Sequence, residues 1–203
     1  MEYLELKKYI DFFIKEDDFF TETDYVNAIN LSLKNVFNII INKSSDFYCK
    51  SEEYTLSVSD SQFIDLPSDF YSIIDIEYAI DTEIFEIKKG SRSNRFRNSD
   101  LLYILEYPKI KIFNNSINTT IILNYSYIPE KITIENYQSI EINIPKFSEP
   151  YFIFLVFRFL KIKDTEIEQI TGIDFNEARD MLYKNIELLR PKYQKNYKNF
   201  TSY

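Results

Sequence analysis

The chain has 203 residues, a formal net charge of −8, no histidine, one cysteine and two glycines. Without histidine it lacks the side chain best suited to proton transfer near neutral pH and the commonest metal ligand, which disfavours zinc chemistry and a His-activated thiol at Cys49. Gly90 and Gly172 are too few for the glycine-rich phosphate loops of nucleotide enzymes, and so acidic a chain is poorly suited to gripping duplex DNA.

The opening Met1-Glu2-Tyr3-Leu4-Glu5 is acidic and carries no apolar leader, so synthesis is expected to end in the cytoplasm. Leu4, Leu6, Tyr9, Ile10, Phe13 and Ile14 recur at near-helical spacing and predict an amphipathic helix over 2–15. Thr21-Glu22-Thr23-Asp24 has the form of a capping box with Thr21 as N-cap. The apolar stripe behind it, from Tyr25 through Ile29, Leu33 and Val36 to Ile40, predicts a second helix over 21–42. The period then changes: Tyr54, Leu56 and Val58 alternate with Thr55, Ser57 and Ser59, within a β region expected over about 47–144. Leu66-Pro67-Ser68-Asp69-Phe70-Tyr71 reads as a corner, because the proline ring holds Leu66 extended and Ser68 and Asp69 favour a turn. Strands are expected at 73–80 and 84–88, paired across Asp81-Thr82, and again at 101–107, 109–113 and 120–127, as a meander-like antiparallel sheet.

Ile140 to Ile144 is a last extended piece before Pro145, and Ser148 is expected to cap a helix over 149–163 with Pro150 in its first turn. That helix is apolar on nearly every face, so it must be buried in a core or between subunits. Its longest apolar run, Tyr151 to Phe157, is far short of the roughly 20 residues that span a membrane, and no membrane contact is expected. A short helix over 164–171 ends at Gly172, with Ile173 placed for a Schellman-type stop. Asp174 with Glu177 caps a final helix over 174–190, broken by Pro191. Two basic stretches remain. Lys88, Lys89, Arg92, Arg95 and Arg97 lie in a polar run without an acid, expected as a projecting loop. Lys192, Tyr193, Lys195, Tyr197, Lys198, Phe200 and Tyr203 form a basic aromatic tail over 191–203.

The Leu66-Pro67-Ser68-Asp69-Phe70 corner with its following strand, the Tyr125-Ser126-Tyr127-Ile128-Pro129-Glu130 exit and the Ile144-Pro145 lead into an apolar helix resemble the head-to-tail connector adaptors of tailed bacteriophages. The likeness is to short-tailed phages, the crAss-like ones included, and with the two N-terminal helices it covers most of the chain. It rests on organisation, with no active-site signature. The resemblance implies an α+β fold over 1–190, with helices from both termini forming a bundle and a central antiparallel β region inserted between them. It also implies a homo-oligomer, usually a dodecameric ring. Such a ring binds beneath the portal protein, meets a downstream tail or ring protein and lets duplex DNA pass through its lumen. The location implied is the head–tail interface of a virion assembled in the host cytoplasm. No catalytic role, cofactor or metal is expected.

Two segments cannot be carried over from that family and are assigned by chemistry. Exposed aromatics without a visible core are costly unless a partner covers them, so the tail from Lys192 to Tyr203 is expected to dock on the portal. The basic run from Lys88 to Arg97 suits DNA phosphates or an acidic neighbouring subunit. The subunit is preferred, because a channel that lets DNA slide should not grip it, and Glu16-Asp17-Asp18 is one acidic target. Two rivals belong to other classes. Residues 164–188 have the outline of a helix-turn-helix, although Asp174, Glu177 and Asp180 would face phosphates with only Arg179 beside them. A cell-wall glycosidase needs a carboxylate pair, and nothing singles one out among Glu135, Glu141 and Glu149.

Overall fold

A computed structural model describes residues 2–13, 20–80, 83–90, 101–115, 118–162 and 164–189. The fold is mixed α and β, and the chain divides into two compact units: Met1–Phe47 with Pro129–Pro191, and Tyr48–Ile128.

The first unit is helical. Helix α1 (Tyr3–Phe13) buries Tyr3, Leu6 and Ile10, one stripe at spacings of three and four. Helix α2 (Glu22–Lys43) begins with the expected capping box: the Thr21 hydroxyl accepts from the Asp24 N–H, and the Asp24 carboxylate accepts from the Thr21 N–H at 2.8 Å. Tyrosine hydroxyls tie the two helices, Tyr3 donating to Glu22 at 2.6 Å and Tyr25 to Asp11. Lys7 adds a 2.8 Å ion pair with Asp11, which raises its pKa. The Asn30 side chain both donates to the Ile132 carbonyl and accepts from its N–H, at 2.8 and 3.0 Å, and so fixes the returning chain on α2.

Helix α3 (Glu149–Phe159) packs on α2 and on the two helices that follow it, and buries Tyr151, Phe152, Phe154, Leu155, Val156 and Phe157. The burial expected of this apolar helix is therefore met within the chain. Its ends differ from expectation. Ser148 closes a 3₁₀ turn over Lys146–Ser148, and its hydroxyl donates to the Pro145 carbonyl at 2.6 Å, so it does not cap α3. The helix stops at Phe159 because Lys161 takes a left-handed conformation (φ 63°). The Lys161 N–H then reaches the Arg158 carbonyl and the Ile162 N–H the Phe157 carbonyl, at 2.9 and 3.2 Å, a Schellman pattern. Helix α4 (Asp164–Thr171) ends at Gly172 (φ +73°) through one bond, from the Gly172 N–H to the Glu168 carbonyl at 2.8 Å, the simpler αL stop. Helix α5 (Phe175–Leu189) follows Asp174, whose carboxylate accepts from the Glu177 N–H at 2.8 Å as the sequence suggests.

The second unit holds β1 (Cys49–Leu56), β2 (Ser59–Asp65), β3 (Phe70–Ile80), β4 (Glu83–Glu86), β5 (Lys88–Lys89), β6 (Leu102–Glu106), β7 (Lys109–Asn115) and β8 (Thr119–Tyr127). They form two four-stranded sheets, ordered β1-β8-β3-β4 and β2-β7-β6-β5, in place of one meander. The expected β3/β4 hairpin is present, with Ile80 opposite Glu83. The last pair departs from the expectation of an antiparallel region, because β5 runs parallel to β6. Ile64, Ile110 and Ile112 from one sheet meet Leu56, Ile76, Ile121, Leu123 and Tyr125 from the other in a shared core. Full burial of each such side chain contributes about 1.5–3 kcal/mol. The predicted corner carries the chain from β2 in one sheet to β3 in the other. The Phe70 N–H bonds to the Pro67 carbonyl at 3.1 Å, and the Ile128 N–H closes on the Asp69 carbonyl at 2.8 Å.

Candidate assembly surface

Of the basic run, Lys88 and Lys89 are described and form strand β5, so extended structure continues past Lys88, the end of the expected strand, into what was expected as a projecting loop. Their partners are Leu102 and Tyr103, 14 residues on, a pairing that local composition does not announce. Both lysines are exposed. The Gly90 N–H donates to the Tyr103 carbonyl at 2.7 Å and continues the ladder past them. Ile87 joins β4 to β5: its N–H bonds to the Ile76 carbonyl of β3 at 2.7 Å, and its side chain enters the core. Residues 83–89 thus make one extended segment that pairs with β3 of the first sheet at its start and with β6 of the second at its end, with Ile84 half exposed to solvent. Arg92, Arg95 and Arg97, Glu16-Asp17-Asp18 and the tail residues Lys192, Tyr193, Lys195, Tyr197, Lys198, Phe200 and Tyr203 lie outside the described residues.

The other edge of the first sheet is β1, which pairs with β8 in unbroken register from Cys49 opposite Ser126 to Leu56 opposite Thr119. Among the described residues its second side has no strand partner. Lys50, Glu52, Tyr54 and Leu56 share the core face of β1, since their partners Tyr125, Leu123, Ile121 and Thr119 are buried. Glu53 lies on the opposite face and is exposed.

Charges on the core face are neutralised locally. Asp69, from the corner, forms an ion pair with Lys50 and accepts from the Tyr125 hydroxyl at 3.1 Å. Glu52 accepts from the Tyr54 hydroxyl at 2.6 Å. The Lys50 ammonium also sits 4.4 Å from the Tyr127 ring centroid, and Phe70 stacks on Tyr125 at 6.0 Å. The Asp69 contact raises the Lys50 pKa, while burial, then the carboxylates, raise those of Tyr125 and Tyr54. At neutral pH these phenols are donors, held protonated against carboxylates. The cluster fastens the corner to β1 and β8.

In the helical unit, Phe175 at the start of α5 is packed by Tyr151 and Phe154, with ring centroids 5.6 and 5.4 Å away, and is covered by the guanidinium groups of Arg158 and Arg179 at 4.6 and 5.9 Å. Arg179, the one basic residue at the reading end of the helix-turn-helix outline, therefore lies against an aromatic ring. Glu135 lies in an exposed turn, Glu141 bridges to Glu2 in extended backbone, and Glu149 is in the first turn of α3. Cys49 is a half-buried thiol. Among the described residues, no three His, Cys, Asp or Glu side chains are placed to hold a metal ion, and no helix is long and apolar enough to cross a membrane.

The sequence reading passed over Glu52 and Glu53 as edge residues. The signal was present in the alternation through Tyr54 and Leu56, but an edge is defined only by which strand is missing beside it. No protein-family model matches the chain, and no curated protein matches it.

Proposed function

We propose that the chain is a structural virion protein: one subunit of a head-to-tail adaptor ring that sits below a portal protein and continues the DNA channel toward the tail. In this reading it is not an enzyme. The helices from both chain ends form a bundle, the inserted β unit supplies contacts between copies, and the C-terminal tail docks on the portal. The observation that supports the reading is the insertion itself, a two-sheet β unit at Tyr48–Ile128 set into a helical unit contributed by both ends of the chain. That organisation is the one on which the resemblance to connector adaptors rests. A ring needs heterologous contacts, in which two different surfaces of each copy are complementary, and β1, an edge strand without a second strand partner among the described residues, offers one such surface.

The orientation of Arg179 against Phe175 favours this reading over the helix-turn-helix. The test is a negative-stain image of the purified chain, alone and mixed with the portal protein of the same virion. A ring with a central hole is expected. Isolated subunits in both samples, or sequence-specific and salt-sensitive binding to duplex DNA, would overturn the proposal.

A further inference from the structure

We propose that two free copies of this chain pair β1 against β1, antiparallel about a two-fold axis, so that the first sheet runs from one molecule into the other. The inference goes beyond the ring reading, because a two-fold contact inverts one copy whereas the copies of a ring all point the same way. It describes the chain before it joins a ring, and it keeps the β1 edge covered until then.

The in-plane side of β1 that faces away from β8 has no strand on it among the described residues. β2, the next strand in the chain, lies across the core in the facing sheet. Its Ile64 shares that core with Leu56, and the Tyr54 hydroxyl, on the core face of β1, reaches the Asp65 carbonyl at 3.2 Å. β1 is eight residues long, contains no proline and pairs with β8 without a bulge, and Lys50, Ser51, Glu53 and Thr55 are exposed along it. Such an edge is a template for strand addition unless its side chains refuse the incoming strand.

The charges of β1 select what it accepts. A two-fold axis normal to the sheet keeps each face continuous, so residues that oppose one another are both even-numbered or both odd-numbered. The register that sets Ser51 against Ser51 of the second copy places Lys50 against Glu52 and Glu52 against Lys50, two opposite-charge pairs on the core face. Cys49 then opposes Glu53 on the other face. The Lys50 ammonium is half exposed and has three N–H donors, so it can serve a second carboxylate beside Asp69. Neighbouring registers fail. A slide one way sets Lys50 against Lys50; a slide the other way sets Glu52 against Glu52 and, one step further, Glu53 against Glu53. Like charges directly opposite are destabilising. A third step leaves Glu52 facing Leu56 without a cation. The edge thus repels a shifted copy and complements one in the single register centred on Ser51.

The test is sedimentation of the full chain, for which a concentration-dependent dimer is expected, with rings in the sample that contains portal protein. Lys50→Glu and Glu52→Lys should each dimerise at least about tenfold more weakly, and the double exchange, which restores both charge pairs, should dimerise again. Lys50 also holds Asp69 and Glu52 also serves Tyr54, so a second measurement leaves both in place. In a Cys49→Ser background, Ser51→Cys, Glu53→Cys and Thr55→Cys each put one thiol on the outward face, and a mild thiol oxidant is added. Opposed Cα atoms are about 4.5–5.5 Å apart, within reach of a disulfide. Ser51→Cys should give a covalent dimer several-fold faster than the other two. Crosslinking fastest at Glu53→Cys or Thr55→Cys, or equally fast at all three, would overturn the pairing. So would a free chain that stays monomeric at every concentration; if portal protein still drew those monomers into rings, the ring reading would stand. A dimer crosslinked at Ser51→Cys from a chain that never forms rings would uphold the pairing and sink the ring.

Discussion

Asp69 shows how one side chain can hold a turn whose backbone is already set by proline. Its carboxylate takes the Lys50 ammonium and the Tyr125 hydroxyl together. The two interactions differ in weight. Lys50 is about half exposed, so the ion pair is worth under about 1 kcal/mol, whereas Tyr125 is buried and a hydroxyl left there without its acceptor costs about 1–3 kcal/mol. Glu52 stands 3.4 Å from the same hydroxyl and can take part of the load. Asp69→Ala should therefore lower stability to urea by about 1–2 kcal/mol, and by distinctly less in a Tyr125→Phe background. Equal losses in both backgrounds would assign the effect to Lys50. A second residue-scale expectation concerns acid. The Thr21 side chain and backbone hold the Asp24 carboxyl below its usual range. Its contribution is present above the ordinary carboxylate value of about 4 and fades as pH falls through the lowered one. The stability difference between the unaltered chain and Asp24→Asn should thus be visible in urea titrations at pH 7 and shrink as the pH is taken below about 4.

At the scale of elements, the signals that the sequence carried faithfully were local. Thr21 and Asp24 are three residues apart and make the capping box that their spacing announces; at α5 the Asp174 carboxylate caps the Glu177 N–H, as their spacing also announces. Where an outcome depended on competition, the sequence was silent. Ser148 could cap α3 or close the turn before it, and the nearby Pro145 carbonyl takes its hydroxyl. Lys161 occupies a left-handed position that glycine usually fills, so nothing in its identity marked the end of α3. A non-glycine residue there costs about 1 kcal/mol. Lys161→Gly is accordingly expected to raise the thermal midpoint modestly, and Gly172→Ala, at φ +73°, to lower it by a comparable energy of about 1 kcal/mol. The opposite signs, read by calorimetry, are the check. Strand partners were the least legible feature. β8 lies between β1 and β3 although 62 residues separate its first residue from the last of β1 in the chain, and neither composition nor period encodes that choice. The same ignorance of partners made Lys89 read as loop, and it hid the β1 edge that carries the candidate surface.

At the scale of the whole molecule, two compact units imply two cooperative blocks. The β unit has its own core, drawn from residues between Leu56 and Tyr125, and 81 residues, Tyr48 to Ile128, are enough for a small domain to fold alone. An isolated 48–128 fragment should show a β-type circular dichroism spectrum and a sigmoidal urea transition. A gradual, non-cooperative loss of signal would mean that its stability is borrowed from the helices.

The first and last strands of that unit are register partners, Cys49 opposite Ser126, and the Tyr48 and Tyr127 rings touch at 5.7 Å. Cα atoms across such a pair are only about 5 Å apart. The consequence is genetic. A recombination event that replaces this stretch of coding sequence has to match just one narrow joint in the recipient, so the segment behaves as an exchangeable cassette. Lineages that share the helical framework can then carry different cassettes, and the β unit can diverge faster than the framework that carries it.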